Sequence, residues 1–378
     1  MKLLNKQIHI VCPEIPGPFS SADMTDTYFQ LQFLYRAGYQ AILHCFHNDP
    51  DPNITHLKNL SSCIHLYARN HGHKAVSMRH PYCISSRSNP QLLENLLQYA
   101  YPVLFQGMSS TFYLPDLVDR GYKVVVRING IASEIYEAFI KCEKSLIKKA
   151  YSFNEARLIR KWEEKISEHA TIVTTTISDK QKFQQLYKGA KTRYIAPFIP
   201  MPQIKCQPGK GMYCLYYGDL SNPENEKMVS WLSESVFNKM PVPLIVADTG
   251  NSVKPRDPLH PDSNICVVSN PAATELNELI QKAQIILLLR CHHHGFDNRL
   301  LQALEKGRYC ICNDLMIHDT GLEKLFIVAN EEDEIIHAIN SYFCSPFTDK
   351  NIDERTHFLS TSYFPRHSLN ELLEMIEQ

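Results

Sequence analysis

One alternation, met twice along the chain, restricts the fold more than any other feature. Short apolar runs rich in Val and Ile are separated by longer polar stretches with helical spacing. Such runs suit strands buried on both faces, and the stretches between them are long enough for crossover helices, so the pattern reads as βαβ units and parallel sheets. The first series holds strand runs at Ile8–Val11, Ala41–Phe46, Val103–Phe105, Lys123–Arg127 and Thr171–Ile177. A Pro/Gly/Ser loop from Pro13 to Ser21 leads into a helix over Asp23–Arg36, with Gly38 as its C-cap. The polar stretch Ser133–Glu168 reads as the longest helical segment, with a break near Ser152-Phe153-Asn154. Ser178 and Asp179 are expected to cap the helix that ends at Leu186.

Ala196-Pro197-Phe198-Ile199-Pro200-Met201-Pro202 carries three prolines in six residues and reads as a stiff interdomain linker. The alternation then restarts. Strands are expected at Tyr213–Tyr217, Leu244–Ala247, Ile265–Val268, Ile285–Leu289 and Tyr309–Cys312. Helices are expected at Glu224–Phe237, Ala273–Lys282, Arg299–Lys306 and Leu369–Ile376. The expected fold class is therefore α/β, with two Rossmann-like domains facing a cleft. The boundaries read 1–195 for the first domain, 196–345 for the second, and 346–378 for a tail that packs back on the first.

Composition removes several alternatives. Lys and Arg number 39 against 40 for Asp and Glu, a net charge of −1, so no nucleic-acid partner is expected. Fourteen glycines exclude collagen-like repeats. No apolar run approaches the roughly 20 residues of a spanning helix, and the N-terminus shows no signal-type apolar core. A cytoplasmic location is expected, with the 12 cysteines reduced; no C-x-x-C pair occurs. Cys310 and Cys312 lie two apart on a strand, on one face, and read as core.

Ligands of open α/β sheets bind beyond the carboxyl ends of the strands. The loops after Val11, Phe105, Arg127, Tyr217, Ala247 and Leu289 are thus the places for a site. Arg127 ends a strand and is the best first-domain cation. His292-His293-His294 follows a strand, but successive side chains alternate, so the three cannot converge on one metal and none is expected. Arg87 reads as a surface residue near a cap, and Glu323 as a residue satisfying backbone donors. Glu155, Arg157, Arg160, Glu163 and Glu164 have i,i+3 and i,i+4 spacing and read as a solvated face.

The segment Gly295-Phe296-Asp297-Asn298-Arg299-Leu300-Leu301-Gln302-Ala303-Leu304-Glu305-Lys306-Gly307 resembles the donor-site segment of GT-B glycosyltransferases, within them the retaining group that includes many bacterial polysaccharide mannosyl- and glucosyltransferases. Pro13–Gly38 looks like that group's acceptor-side loop and helix, Tyr216–Ser221 like the opening of its second domain, and Thr320-Gly321-Leu322-Glu323 fits one subgroup. The resemblance implies transfer of a sugar from a UDP- or GDP-linked donor to a saccharide or lipid-linked acceptor, with retention and without a cofactor. A lipid-linked acceptor would bring the chain to a membrane surface as a peripheral protein. On this reading Gly218, Asp219, His294, Gly295, Phe296, Arg299 and Gln302 bind the donor, while Arg127, Asn129 and Ser109 carry catalysis.

The chain departs from the group where charge is usual. The paired glutamates of the donor segment are His294 and Gln302 here; Asp297 and Glu305 are also eight apart, but in a shifted register. A Gly-Arg-Leu opening is replaced by Gly218-Asp219-Leu220, with Lys227 farther on. Glu-Gly-x-His becomes Gln106-Gly107-Met108-Ser109, and His-Asn-x-Glu becomes Asn129-Gly130-Ile131-Ala132. Gln106, Ser109 and Asn129 hydrogen-bond but do not serve as acid or base at neutral pH. A non-catalytic relative, acting as a saccharide-binding or partner subunit, is therefore the alternative, and a sugar epimerase of the same shape is a weaker one.

Overall fold

The computed structural model describes residues 6–18, 21–143, 145–198, 203–250, 264–362 and 365–377. Among them the strands form two all-parallel sheets. The first has the order β3-β2-β1-β4-β5-β6-β7, built from Lys6–Cys12 (β1), Tyr39–His47 (β2), Ser61–Ala68 (β3), Val103–Gln106 (β4), Val124–Ile128 (β5), Thr171–Thr174 (β6) and Thr192–Tyr194 (β7). The second has the order β10-β9-β8-β11-β12-β13, built from Cys214–Gly218 (β8), Leu244–Asp248 (β9), Ile265–Ser269 (β10), Ile285–Leu288 (β11), Tyr309–Cys312 (β12) and Ile327–Val328 (β13). The α/β architecture with two Rossmann-like halves is thus present. The buried runs of β1, β4, β5, β8 and β11 explain why alternation was absent from their sequences: helices cover both faces.

Helices in chain order are Ala22–Arg36 (α1), Tyr82–Ser85 (α2), Pro90–Leu96 (α3), Leu114–Val118 (α4), Ala132–Cys142 (α5), Leu146–Ser167 (α6), Ile177–Leu186 (α7), Pro223–Trp231 (α8), Ala273–Lys282 (α9), Asn298–Lys306 (α10), Asp314–Ile317 (α11), Glu332–Phe343 (α12), Asp349–Ser362 (α13) and Pro365–Glu377 (α14). After residue 345 the chain divides its contacts. Arg355 of α13 donates to the carbonyls of Leu304, Gly307 and Arg308 in the second half. Leu372 and Ile376 of α14 join Ile8, Ile10 and Leu31 in the core of the first.

Four local readings change. The long helix does not break at Ser152–Asn154; the chain turns extended at Glu143, and Ser145 caps α6 by accepting from the Lys148 N–H. Thr176, not Ser178 or Asp179, caps α7, its hydroxyl accepting from the Asp179 N–H at 3.1 Å. Glu155 and Glu163 are buried rather than solvated. Glu155 accepts from the Tyr82 N–H at 2.7 Å, and Glu163 accepts from the Ser133 N–H and the Tyr187 hydroxyl at 3.3 and 2.6 Å, so each acid satisfies a helix start. Arg87 is likewise buried, donating to the carbonyls of Pro13 and Cys83. Of the proline-rich linker, residues 199–202 lie outside the described residues. Cys310 and Cys312 sit together in the second core.

Candidate functional site

Each sheet reverses strand order once, between β1 and β4 and between β8 and β11, and open α/β sheets form crevices at such points. In the first, Gly107 after β4 has φ 76°, and a Cβ there would lie 3.8 Å from Pro13 of the loop after β1. In the second, Glu224 in the first turn of α8 accepts the backbone N–H groups of Cys291 and His292 at 2.7 and 2.9 Å, tying the loop after β8 to the loop after β11.

The two halves meet where these loops face each other. Asn129, just past β5, uses both ends of its amide on Phe296: Nδ2 donates to the Phe296 carbonyl at 3.0 Å and Oδ1 accepts its N–H at 2.7 Å. The Thr175 hydroxyl donates to the same Oδ1 at 2.5 Å. Asp179 Oδ2 accepts the Gly295 N–H at 3.2 Å, and Ser178 pairs with His293 at 3.0 Å. Gly295 has φ +54°, and a Cβ on it would stand 2.5 Å from Asn129 Oδ1 and 2.9 Å from the Asn129 carbonyl carbon. Glycine is required there twice over, by backbone hand and by space.

Behind this contact lies a buried charge cluster. Asp297 caps α10 by accepting the Arg299 N–H and pairs with Arg290 at 2.6 Å and Arg299 at 2.8 Å. Burial alone would raise the Asp297 pKa, but the two guanidiniums hold it well below the carboxylate range. Arg290 also donates to the carbonyls of His294 and Gly295, and Arg299 to that of Tyr217 at 2.9 Å. Gly218 permits the last bond, since a Cβ there would meet Arg299 Nη1 at 2.9 Å. Against the two guanidiniums stand Asp297 within the loop and Glu224 and Asp179 bonded to its backbone, so carboxylates offset the cluster's positive charge. Arg299, read from sequence as a freely reaching cation, has its donors engaged by Asp297 and by the Tyr217 carbonyl of β8, so what it offers a ligand is field rather than a ready hydrogen bond.

Two carboxyls border the crevices with shifted pKa values. For Glu224, burial acts upward, but the His294 hydrogen bond at 3.2 Å and charge, the Cys291 N–H and Arg290 prevail and bring it down to about 2. It is a fixed anion that holds the ring of His294. Asp23, half-buried in the first turn of α1, is pushed up to about 6 by burial, reinforced by Asp26 and Glu14 and opposed by a hydrogen bond from Asn129 and by Arg127. A carboxyl titrating this close to neutrality, beside the cross-domain contact, is suited to accept a hydrogen bond or proton from a hydroxyl.

The other expected residues are placed as follows. Arg127 is not a free cleft cation. It is buried, pairs with Asp26 at 2.8 Å, donates to the carbonyls of Ile195 and Ala196, and lies over the Phe198 ring, fastening the interdomain segment to α1. Ser109 is half-buried in the turn after Gly107. Asp219 is exposed and accepts from the Ser221 N–H and hydroxyl, and Gln302 is half-buried on α10. Asn129, His294, Gly295, Phe296, Gly218 and Arg299 come together around one boundary; Arg127 lies behind it. Sequence reading missed Asp23, Asp179, Glu224 and Arg290. The available signal was position: each lies in a first helical turn or a loop following a strand.

No family model matches the chain, and no curated protein matches it. Solved structures do. Sucrose-phosphate synthase from Thermosynechococcus elongatus superposes with a TM-score of 0.67 at 13% identity, covering 99% of both chains. Anabaena HepE in complex with UDP-glucose gives 0.61 at 10% identity, covering 98% of this chain and 99% of that one. A glycosyltransferase from Rickettsia africae gives 0.60 at 12% identity, covering 99% and 98%. The chain therefore has the two-domain GT-B fold of glycosyltransferases over its whole described length. At these identities the likeness is one of fold, and function rests on the site.

Proposed function

We propose that this protein transfers a hexosyl group from a UDP- or GDP-linked sugar to a saccharide or lipid-linked acceptor, with retention of configuration. The observation that carries the reading is the junction at Asn129 and Gly295–Phe296, where the strand-end loops of the two halves close on each other beside the buried Arg290–Asp297–Arg299 cluster. The second half holds the donor. Its diphosphate lies by the loops after β8 and β11, where the field of Arg290 and Arg299 favours developing negative charge on the leaving group. The first half holds the acceptor, with Asp23 orienting its hydroxyl and Ser109 bordering the pocket. Closure excludes water and so protects the activated sugar from hydrolysis. The full chain is tested by following nucleoside diphosphate release from UDP- and GDP-sugars, with and without oligosaccharide acceptors. Release that Asp23→Asn lowers supports the reading, and folded protein that turns over none of them overturns it.

A second reading, a non-catalytic saccharide-binding or partner subunit, is favoured by one observation. Asp297 already occupies the N-terminus of α10, and Asp219 stands at the end of β8, so carboxylates occupy places where a diphosphate seeks positive groups. This reading predicts that UDP and GDP leave the melting temperature unchanged, and a clear rise counts against it.

A further inference from the structure

The start of α6 turns its apolar side away from the protein. Four of the twelve exposed large hydrophobic side chains among the described residues fall within the eight residues 146–153: Leu146 at 81% exposure, Ile147 at 83%, Tyr151 at 53% and Phe153 at 68%. At roughly 100° per residue, Phe153, Leu146, Ala150, Ile147 and Tyr151 occupy one arc of roughly 160°, broken only by Asn154. Of residues 146–154 only Ser152 is buried, and it lies on the opposite side. Lys148 and Lys149 flank that arc, one on each edge, and exposed Lys141 lies just before it. Lys148 reaches the Glu143 carboxylate at 3.7 Å, and three lysines against that one carboxylate leave the margin of this exposed apolar face positive.

We propose that this face docks on an anionic lipid surface, with Leu146, Ile147, Tyr151 and Phe153 entering the interface and Lys148 and Lys149 meeting lipid phosphates. Charge decides between occupants. A second copy of the chain would meet the face isologously and set Lys148 and Lys149 against their own counterparts, whereas an anionic bilayer complements them. An apolar arc edged by lysines is the layout of helices that lie in a membrane interface, the lysine stems reaching past the apolar side chains to the headgroups. Among the described residues no helix is long and apolar enough to cross a membrane, so the contact is peripheral. Its placement bears on the cleft: α6 follows α5, whose last residue Cys142 has its thiol against Cys291 in the loop after β11. Docking there sets the boundary between the halves beside the bilayer. The inference does not depend on sugar transfer.

Cosedimentation of the full chain with vesicles tests it. Phosphatidylcholine vesicles with about 30% phosphatidylglycerol are compared with phosphatidylcholine alone, at low and high salt. Wild-type protein is expected to pellet with the anionic vesicles and to release at high salt. Leu146→Ser/Ile147→Ser/Phe153→Ser is expected to lose at least tenfold in binding with unchanged melting, because these side chains are exposed, and Lys148→Gln/Lys149→Gln to lose the preference for anionic lipid while remaining folded, since Lys149 is half-buried and the Lys148–Glu143 pair is a surface contact. Absence of wild-type binding, or binding that neither variant alters, overturns the proposal. A wild-type dimer that the apolar variant converts to monomer, without vesicle binding, also overturns it and assigns the face to a second copy.

Discussion

Replacing Gly295 with Ala probes the junction between the halves directly. Its φ of +54° carries a left-handed cost of about 1–2 kcal/mol for an L-residue. The new Cβ would also stand 2.5 Å from Asn129 Oδ1 and 2.9 Å from the Asn129 carbonyl carbon. The oxygen is held by the Phe296 N–H and the Thr175 hydroxyl, and the carbon is backbone, so neither yields without moving the loop. Separation of the loops breaks both Asn129–Phe296 hydrogen bonds, at about 0.5–1.5 kcal/mol each. The sum is about 2–5 kcal/mol for the closed arrangement. Gly121→Ala is the control, since Gly121 has φ +76° and nothing within 4 Å of an added Cβ, so only the backbone cost applies. Urea unfolding and small-angle scattering read the two effects. Gly295→Ala should lose about 1–3 kcal/mol more than Gly121→Ala and show a larger radius of gyration. Equal losses with identical scattering would refute a closed junction at Asn129.

Three further outcomes follow from individual groups. If the chain transfers sugar, activity should fall as pH drops through about 6, where Asp23 takes up a proton, and Asp23→Asn should flatten that limb; a profile unchanged by the substitution removes Asp23 from the site. Glu163→Ala strands the Ser133 N–H in the core and leaves the Tyr187 hydroxyl the long contact to Ser133 Oγ at 3.5 Å, and should cost about 2–4 kcal/mol in urea unfolding, whereas a loss below about 1 kcal/mol contradicts the buried pairing. His9 and His44 are buried, linked ring to ring at 3.0 Å, and burial lowers both pKa values, opposed for His9 by its bond to the Tyr99 carbonyl and reinforced for both by neighbouring histidines. The unfolded chain therefore takes up protons first, so stability should be full above the ordinary histidine value of about 6.5 and fall below it; a denaturation midpoint constant from pH 7.5 to 5.5 would contradict this.

The β/α alternation was legible because both faces of each sheet are covered, which writes strands as plain apolar runs. Ala273–Lys282 and Tyr309–Cys312 emerge with the expected bounds. β3 escaped because it lies at the sheet edge, where Ser61, Ser62 and His65 dilute the signal. The site was legible as loops, not as chemistry. Gly218, Asn129 and Gly295 follow strands and were singled out for it, yet Asn129's use on Phe296 is 167 residues removed in sequence and no local pattern encodes it. Glu155 and Glu163 misled for the same reason: their helical spacing reads as surface, and only the packing of α2 and α5 against α6 buries them. Arg127 and Arg299 show that a cation at a strand or helix end is as readily spent on a neighbouring carboxylate as kept for a ligand.

On the proposed function the loops after β8 and β11 cradle a nucleoside diphosphate. Amide hydrogen exchange of the full chain, with and without saturating UDP-glucose or GDP-mannose, tests it most directly. Slowed exchange is expected at residues 218–224 and 290–299, with a melting rise that grows with ligand concentration and a stabilisation of about 2.7 kcal/mol at a hundredfold excess over Kd. Exchange at those loops left untouched by every nucleotide sugar, or protection that falls elsewhere, would contradict it.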